Sequence, residues 1–212
     1  MLDLVNMLLI LVVLLDFFLL GSSRLKACIH VVAAQGAMLA LLPLLTGGIH
    51  LHTLVFGGIA LVLKGWLIPF MLLRAIREVR IRRDVEPIIG FVPTLLIGAA
   101  GTGAAFLFSH TLTVTEAHRG TLFIPVAVAT LFTGLLLLLS RRKALTQVLG
   151  YLVLENGIYI FSNLLLAAMP VMVEAAILLD LLVAVFIMGI VIYQINRTFS
   201  SIDVEHLSAL KE

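Results

Sequence analysis

Apolar runs of about the twenty residues a helix needs to cross hydrocarbon recur along this chain at roughly 3–21, 25–46, 50–73, 88–108, 121–140, 145–167 and 171–195. Backbone in lipid must satisfy its own hydrogen bonds, so only helices and closed barrels span it. These runs lack the period-two alternation of barrel strands. The pattern therefore predicts an all-α integral membrane protein with seven transmembrane helices. With 62% hydrophobic and 12% charged residues and a mean hydropathy of +1.20, little is left for a soluble domain. We read 1–212 as a single membrane domain, and the first run as a span, since Asp3 and Gly21-Ser-Ser-Arg24 make a poor signal peptide.

The basic residues test the count. Arg24 and Lys26 follow the first run; Arg74, Arg77, Arg80, Arg82 and Arg83 follow the third. Arg141, Arg142 and Lys143 follow the fifth, and Arg197 and Lys211 the seventh. Seven spans put all of these on one side, with only Arg119 opposite and Lys64 inside a span. Cytoplasmic loops carry the excess of Lys and Arg, which predicts an N-terminus outside and a C-terminus in the cytoplasm. The Arg-rich loop after the third span is a topogenic signal or a contact for anionic lipid. A net charge of +2 gives no argument for nucleic acid.

Three charges inside the spans stand out: Lys64, Glu155 and Asp180. Each costs roughly 2.5–3.5 kcal/mol to insert at mid-membrane, and such residues mark ion or proton pathways by default. Glu155 has Asn156 beside it, and Tyr151 and Tyr159 one turn away on its own face. Asn156 can both donate and accept, as a relay through water requires. Lys64 precedes Pro69, which cannot donate to the carbonyl of Gly65. A kink or an opening filled by water is expected there. The lysine lies about 15 Å by helix rise from the cytoplasmic end, too deep to snorkel easily. For all three the alternative is a fastening between helices.

Weaker candidates are Glu174, His30 and Gln35. Glu174 lies about 9 Å along the axis from Asp180 and about 120° around it, so the two form no same-face dyad. Gln35 is deep enough to bridge helices, whereas Asp16 and His30 are expected to be solvated near the interface. His50, His52, His110 and His118 show no ligand spacing, and Cys28 alone builds neither a zinc site nor an iron–sulfur cluster. No cofactor or metal is expected on this chain. Gly98, Gly101 and Gly103 predict close helix packing. Val204, Leu207 and Leu210 give the tail at 200–212 a short apolar stripe, for docking or for a surface turn.

The segment Gln147–Ile158 (QVLGYLVLENGI), the run Lys64–Pro69 (KGWLIP), Asp180 and the ending Ile202–Lys211 (IDVEHLSALK) together resemble the hydrogenase-4 component E family. Arg24-Leu25 and Gln35 extend the likeness toward the N-terminus. The resemblance implies a noncatalytic subunit in the membrane arm of a group 4 [NiFe] hydrogenase or formate hydrogenlyase-type complex, in a prokaryotic inner membrane. It implies antiporter-like subunits, a hydrogenase-anchoring membrane subunit and peripheral [NiFe] hydrogenase subunits as partners. The [NiFe] centre and iron–sulfur clusters would lie in those partners. Residues 121–200 resemble the three-helix K subunit of complex I and the C subunit of Mrp-type antiporters. In the K subunit two successive helices carry proton-relaying glutamates. Asp180 falls near the place of the second, and Glu155 about one turn beyond the first. Lys64 belongs to the four-helix part, 1–110, that the K subunit lacks. The rival expectations are a purely structural scaffold in such a complex, or a freestanding ion transporter, although no internal repeat supports the latter.

Overall fold

The computed structural model of the protein describes residues 2–46, 51–78, 88–111, 121–141, 144–165 and 189. The seventh expected span with Glu174 and Asp180, the apolar stripe of the tail, and Arg119 lie outside the described residues.

Among the described residues the chain is helical, with no strand. Its order is α1 (Leu2–Gly21), α2 (Leu25–Ala40), α3 (Leu42–Thr46), α4 (Leu51–Val62), a π-helical turn (Leu63–Leu67), α5 (Ile68–Glu78), α6 (Phe91–Thr111), α7 (Phe123–Ser140) and α8 (Ala144–Leu165). Among the described residues five stretches are long and apolar enough to cross a membrane: Leu2–Gly21, Leu25–Thr46, Gly57–Arg74, Phe91–Thr111 and Phe123–Ser140. This is an all-α membrane protein.

Two prolines shape the second and third runs. Pro43 has no N–H to continue α2, and the chain turns at Leu41, whose N–H donates to the Met38 carbonyl at 3.2 Å before α3 resumes. Pro69 has a different result. The helix widens ahead of it into the π-turn, where the Ile68 N–H reaches the Leu63 carbonyl five residues back. Such bulges occur often at functional sites, and this one carries Lys64.

The core is split along the helix axes. One apolar cluster gathers Leu19, Leu20, Leu25, Ile29, Leu72, Leu149 and Val153, and the other Val5, Leu9, Val12, Leu39, Val126 and Ile160. Cys28 is buried in the first, packed as a small residue. Residues 16, 35, 130 and 155–156 fall between the two clusters.

α7 and α8 make the most extensive contact, because glycines let their backbones touch. A Cβ on Gly157 would stand 2.7 Å from the Leu131 nitrogen, and one on Gly150 2.7 Å from the Leu138 nitrogen. Gly134 is blocked in the same way by the Leu154 backbone. In α6, Gly98 packs on Leu20 and Gly101 on Phe132, as their spacing predicts, but Gly103 faces open space. The outer face of α6 exposes Val92, Leu96, Leu107 and Phe108.

Gly150→Ala should therefore lower stability by about 1–3 kcal/mol, since backbone atoms cannot move aside. Gly103→Ala should be neutral or slightly stabilising, because alanine favours helix over glycine. Thermal unfolding of both variants in mild detergent checks the contrast.

Candidate functional site

Between the apolar clusters, five polar side chains from five parts of the chain join in one line. Lys64 Nζ donates to Asn156 Oδ1 at 3.2 Å. Asn156 Nδ2 donates to Gln35 Oε1 at 3.1 Å, and Gln35 Nε2 to Asp16 Oδ1 at 2.8 Å. Thr130 Oγ1 closes the line on Asp16 Oδ2, also at 2.8 Å. All five residues are buried, Gln35 and Thr130 completely.

The line has a direction fixed by its ends. An ammonium only donates, so Asn156 must turn its oxygen to Lys64 and its NH₂ to Gln35. Gln35 then turns its oxygen to Asn156 and its NH₂ to Asp16. Read from Asp16, which offers two acceptor oxygens, the orientations come out the same. The two amides thus hold aligned dipoles between a cationic and an acidic side chain, and each bond polarises the next.

Local structure places the lysine. The π-turn carries Lys64 against α2 at Gly36, where an added Cβ would meet the Lys64 Cβ at 2.7 Å. Its Nζ also lies 4.9 Å from the centroid of the Tyr159 ring, within cation–π range. Lys64, Glu155 and Asn156 form the polar wall of a cavity completed by Ile29, Val32, Ile68, Pro69, Leu72 and Leu152. The cavity leaves about 10 Å³ for the centre of a water-sized sphere, at the threshold for holding one water.

The structure thus brings Lys64, Glu155, Asn156 and Gln35 together. His30 stays apart. It is exposed on α2, with its Nδ1 2.7 Å from the Lys26 carbonyl oxygen, and touches no member of the line. Asp16 departs from expectation: it is 2% exposed and fully engaged, not solvated at the interface. It falls on the buried stripe Val5, Leu9, Val12, Asp16 and Leu19. That stripe is hard to see in a helix apolar on every side. Tyr159 is buried against the lysine, while Tyr151 packs on the neighbouring apolar cluster. No cluster of metal-ligating side chains occurs among the described residues.

Arg141 is the first of the basic residues that follow the fifth run. It is buried, and its Nη2 donates to the carbonyls of Leu19 and Leu20 at 3.3 and 3.2 Å, capping the end of α1. Its guanidinium carbon lies 5.4 Å from the centroid of Phe91. Gln147 Nε2 donates to the Arg141 carbonyl at 3.1 Å. Burial pushes the guanidinium down from its ordinary value, and the nearby Cys28 works weakly the other way. This arginine fastens α1, α6, α7 and α8 at one end.

Fold and cluster together define a helical membrane protein with a buried, charged hydrogen-bond line. The chain is 32% identical over 203 residues to the uncharacterized protein Rv0085 of Mycobacterium tuberculosis, covering 94% of this chain and 92% of that one. It belongs to that protein's family. Over 88 residues it is 38% identical to hydrogenase-4 component E of Escherichia coli and of Shigella flexneri. That match takes in 42% of this chain and 41% of those proteins. No family model matches the chain, and no solved structure matches it.

Arg141→Ala removes two hydrogen bonds from a charged donor, each worth about 1.5–3 kcal/mol. It should lower the melting temperature and speed proteolysis near α1. Lys26→Ala, on an exposed side chain, should stay within about 0.5 kcal/mol of wild type. Melting curves of the two variants side by side measure the difference.

Proposed function

We propose that the chain is a noncatalytic subunit in the membrane arm of a complex I-like [NiFe] hydrogenase or formate hydrogenlyase-type complex, and that it contributes charged side chains to a proton or Na⁺ path. The observation that carries this reading is the buried line from Lys64 through Asn156 and Gln35 to Asp16, with Glu155 on the cavity beside it. An ammonium held at such depth with this much polar support marks an ion pathway. The match to hydrogenase-4 component E supplies the class of assembly.

In this proposal Glu155 and Asp180 exchange protons, and Lys64 sets the field they feel. Glu174 stands toward the outer end. The chain crosses the inner membrane seven times with its N-terminus outside. Residues 1–110 carry Lys64, 121–200 form the K-like part, and 200–212 reach a cytoplasmic neighbour. Antiporter-like subunits and the hydrogenase-anchoring subunit flank it, and all metal chemistry belongs to partners.

One observation favours a second reading, the scaffold. Two members of the line, Asn156 and Gln35, are amides, which do not titrate and therefore fasten helices more readily than they pass protons.

Tagged purification from native membranes in mild detergent, with subunit identification and a hydrogen-evolution assay, tests the assignment. The expected result is co-purification with a [NiFe] subunit and antiporter-like subunits in a complex that evolves hydrogen. A single species, or a complex without that activity, contradicts the assignment.

A further inference from the structure

The line of hydrogen bonds ends at a residue that the proposed path does not use. Asp16 lies in α1, two amides away from Lys64, and it shares with Lys64 at the other end, and with the Val12 carbonyl 3.5 Å from Gln35 Nε2, the task of orienting both amides. A carboxylate is acceptor-only, so it requires the NH₂ of Gln35. That choice turns Gln35 Oε1 to Asn156, which in turn aims Asn156 Oδ1 at Lys64 Nζ. Thr130 Oγ1 donates to the other carboxylate oxygen and holds the group in place.

We infer that Asp16 is a positioning residue of the Lys64 centre, acting through Gln35 and Asn156 to fix the acceptor that faces the ammonium. The amides carry no proton along this line. They transmit orientation and charge, so that the acidic group in α1 and the cation in the π-turn behave as one unit.

The substitution Asp16→Asn is close to isosteric but removes the acidic end's share of the constraint, leaving Lys64 and the Val12 carbonyl to hold the orientation. An asparagine presents either an oxygen or an NH₂ to Gln35, which lowers the cost of both amides turning over together. In the turned state Asn156 presents its NH₂ to Lys64, and the ammonium loses that acceptor. The groups facing Asp16 and Lys64 from the packed elements are Gln35 on α2, Thr130 on α7, and Glu155, Asn156 and Tyr159 on α8.

The inference rests on Lys64 being a centre of the proposed path, but its test reads the lysine directly. The sequence holds four lysines, Lys26, Lys64, Lys143 and Lys211. Solid-state NMR of the full chain in lipid bilayers, with ¹⁵N at lysine Nζ, gives few resonances. The one missing in Lys64→Arg is Lys64. Asp16→Asn should move or split that resonance by more than its linewidth. Gln35→Leu, which cuts the link, should also move it, and adding Asp16→Asn to Gln35→Leu should change nothing further. Val12→Ala, a packing change one turn away in α1, should leave it in place.

An unmoved resonance in Asp16→Asn overturns the inference. So does an equal displacement by Val12→Ala, or an Asp16→Asn effect that survives in the Gln35→Leu background. Should Asp16→Asn fail to accumulate, the Gln35→Leu displacement decides the link alone. These outcomes do not depend on transport, so they stand apart from success or failure of the hydrogenase assignment.

Discussion

An ammonium buried between helices is the constraint from which much of this structure follows. Lys64 cannot be left bare in an apolar interior, because an uncompensated charge there would be far more costly than the packing could offset. The chain answers with three devices from three helices. The π-turn ahead of Pro69 carries the lysine inward, Gly36 leaves room for its Cβ, and α8 presents Asn156 and Tyr159 to its Nζ. Once Asn156 is committed, Gln35 and Asp16 must follow in a set order. Helices α1, α2, α7 and α8 are thereby held in register at the level between the two apolar clusters.

That arrangement separates two jobs often merged in descriptions of membrane polar clusters. Amides and the threonine hydroxyl hold geometry, while in the proposed path Glu155 and Asp180 exchange protons and Lys64 sets the field they feel. Asn156 and Gln35 therefore belong to the scaffold of the site, even where the proposed path runs past them. Glu155 sits beside that scaffold, on a cavity with room for about one water. A water placed there would have Lys64, Glu155 and Asn156 within the same wall, a suitable meeting point for a proton and a tuned charge. The close α7–α8 packing at Gly134, Gly150 and Gly157 keeps that wall rigid.

Much of the architecture was legible because hydrocarbon imposes simple rules on length and composition. The first run, expected at 3–21, is α1 at Leu2–Gly21, and the sixth, expected at 145–167, is α8 at Ala144–Leu165. Lys64, Asn156 and Gln35 were visible as polar breaks in apolar text. Asp16 was misplaced because distance along a span was taken to imply exposure. A helix apolar on all sides gives no stripe from which its buried face can be read, so the orientation of Asp16 could not be deduced. Pro69 pointed to a disturbed helix, but whether the backbone kinks or widens depends on what packs against it. Asp180, the carboxylate expected on the next helix, lies outside the described residues.

The central claim is that the charges around Lys64 move protons or ions and do more than fasten helices. Hydrogenase-driven ion uptake into inside-out membrane vesicles tests it most directly, comparing wild type with Glu155→Gln and Lys64→Met at equal complex content. Removing a positioned proton-transfer group slows its step by about a hundredfold or more. The account predicts a loss on that scale in uptake by Glu155→Gln, a marked loss by Lys64→Met, and normal yields of assembled complex. Uptake at the wild-type rate in both variants would contradict it and leave the cluster a fastening between helices.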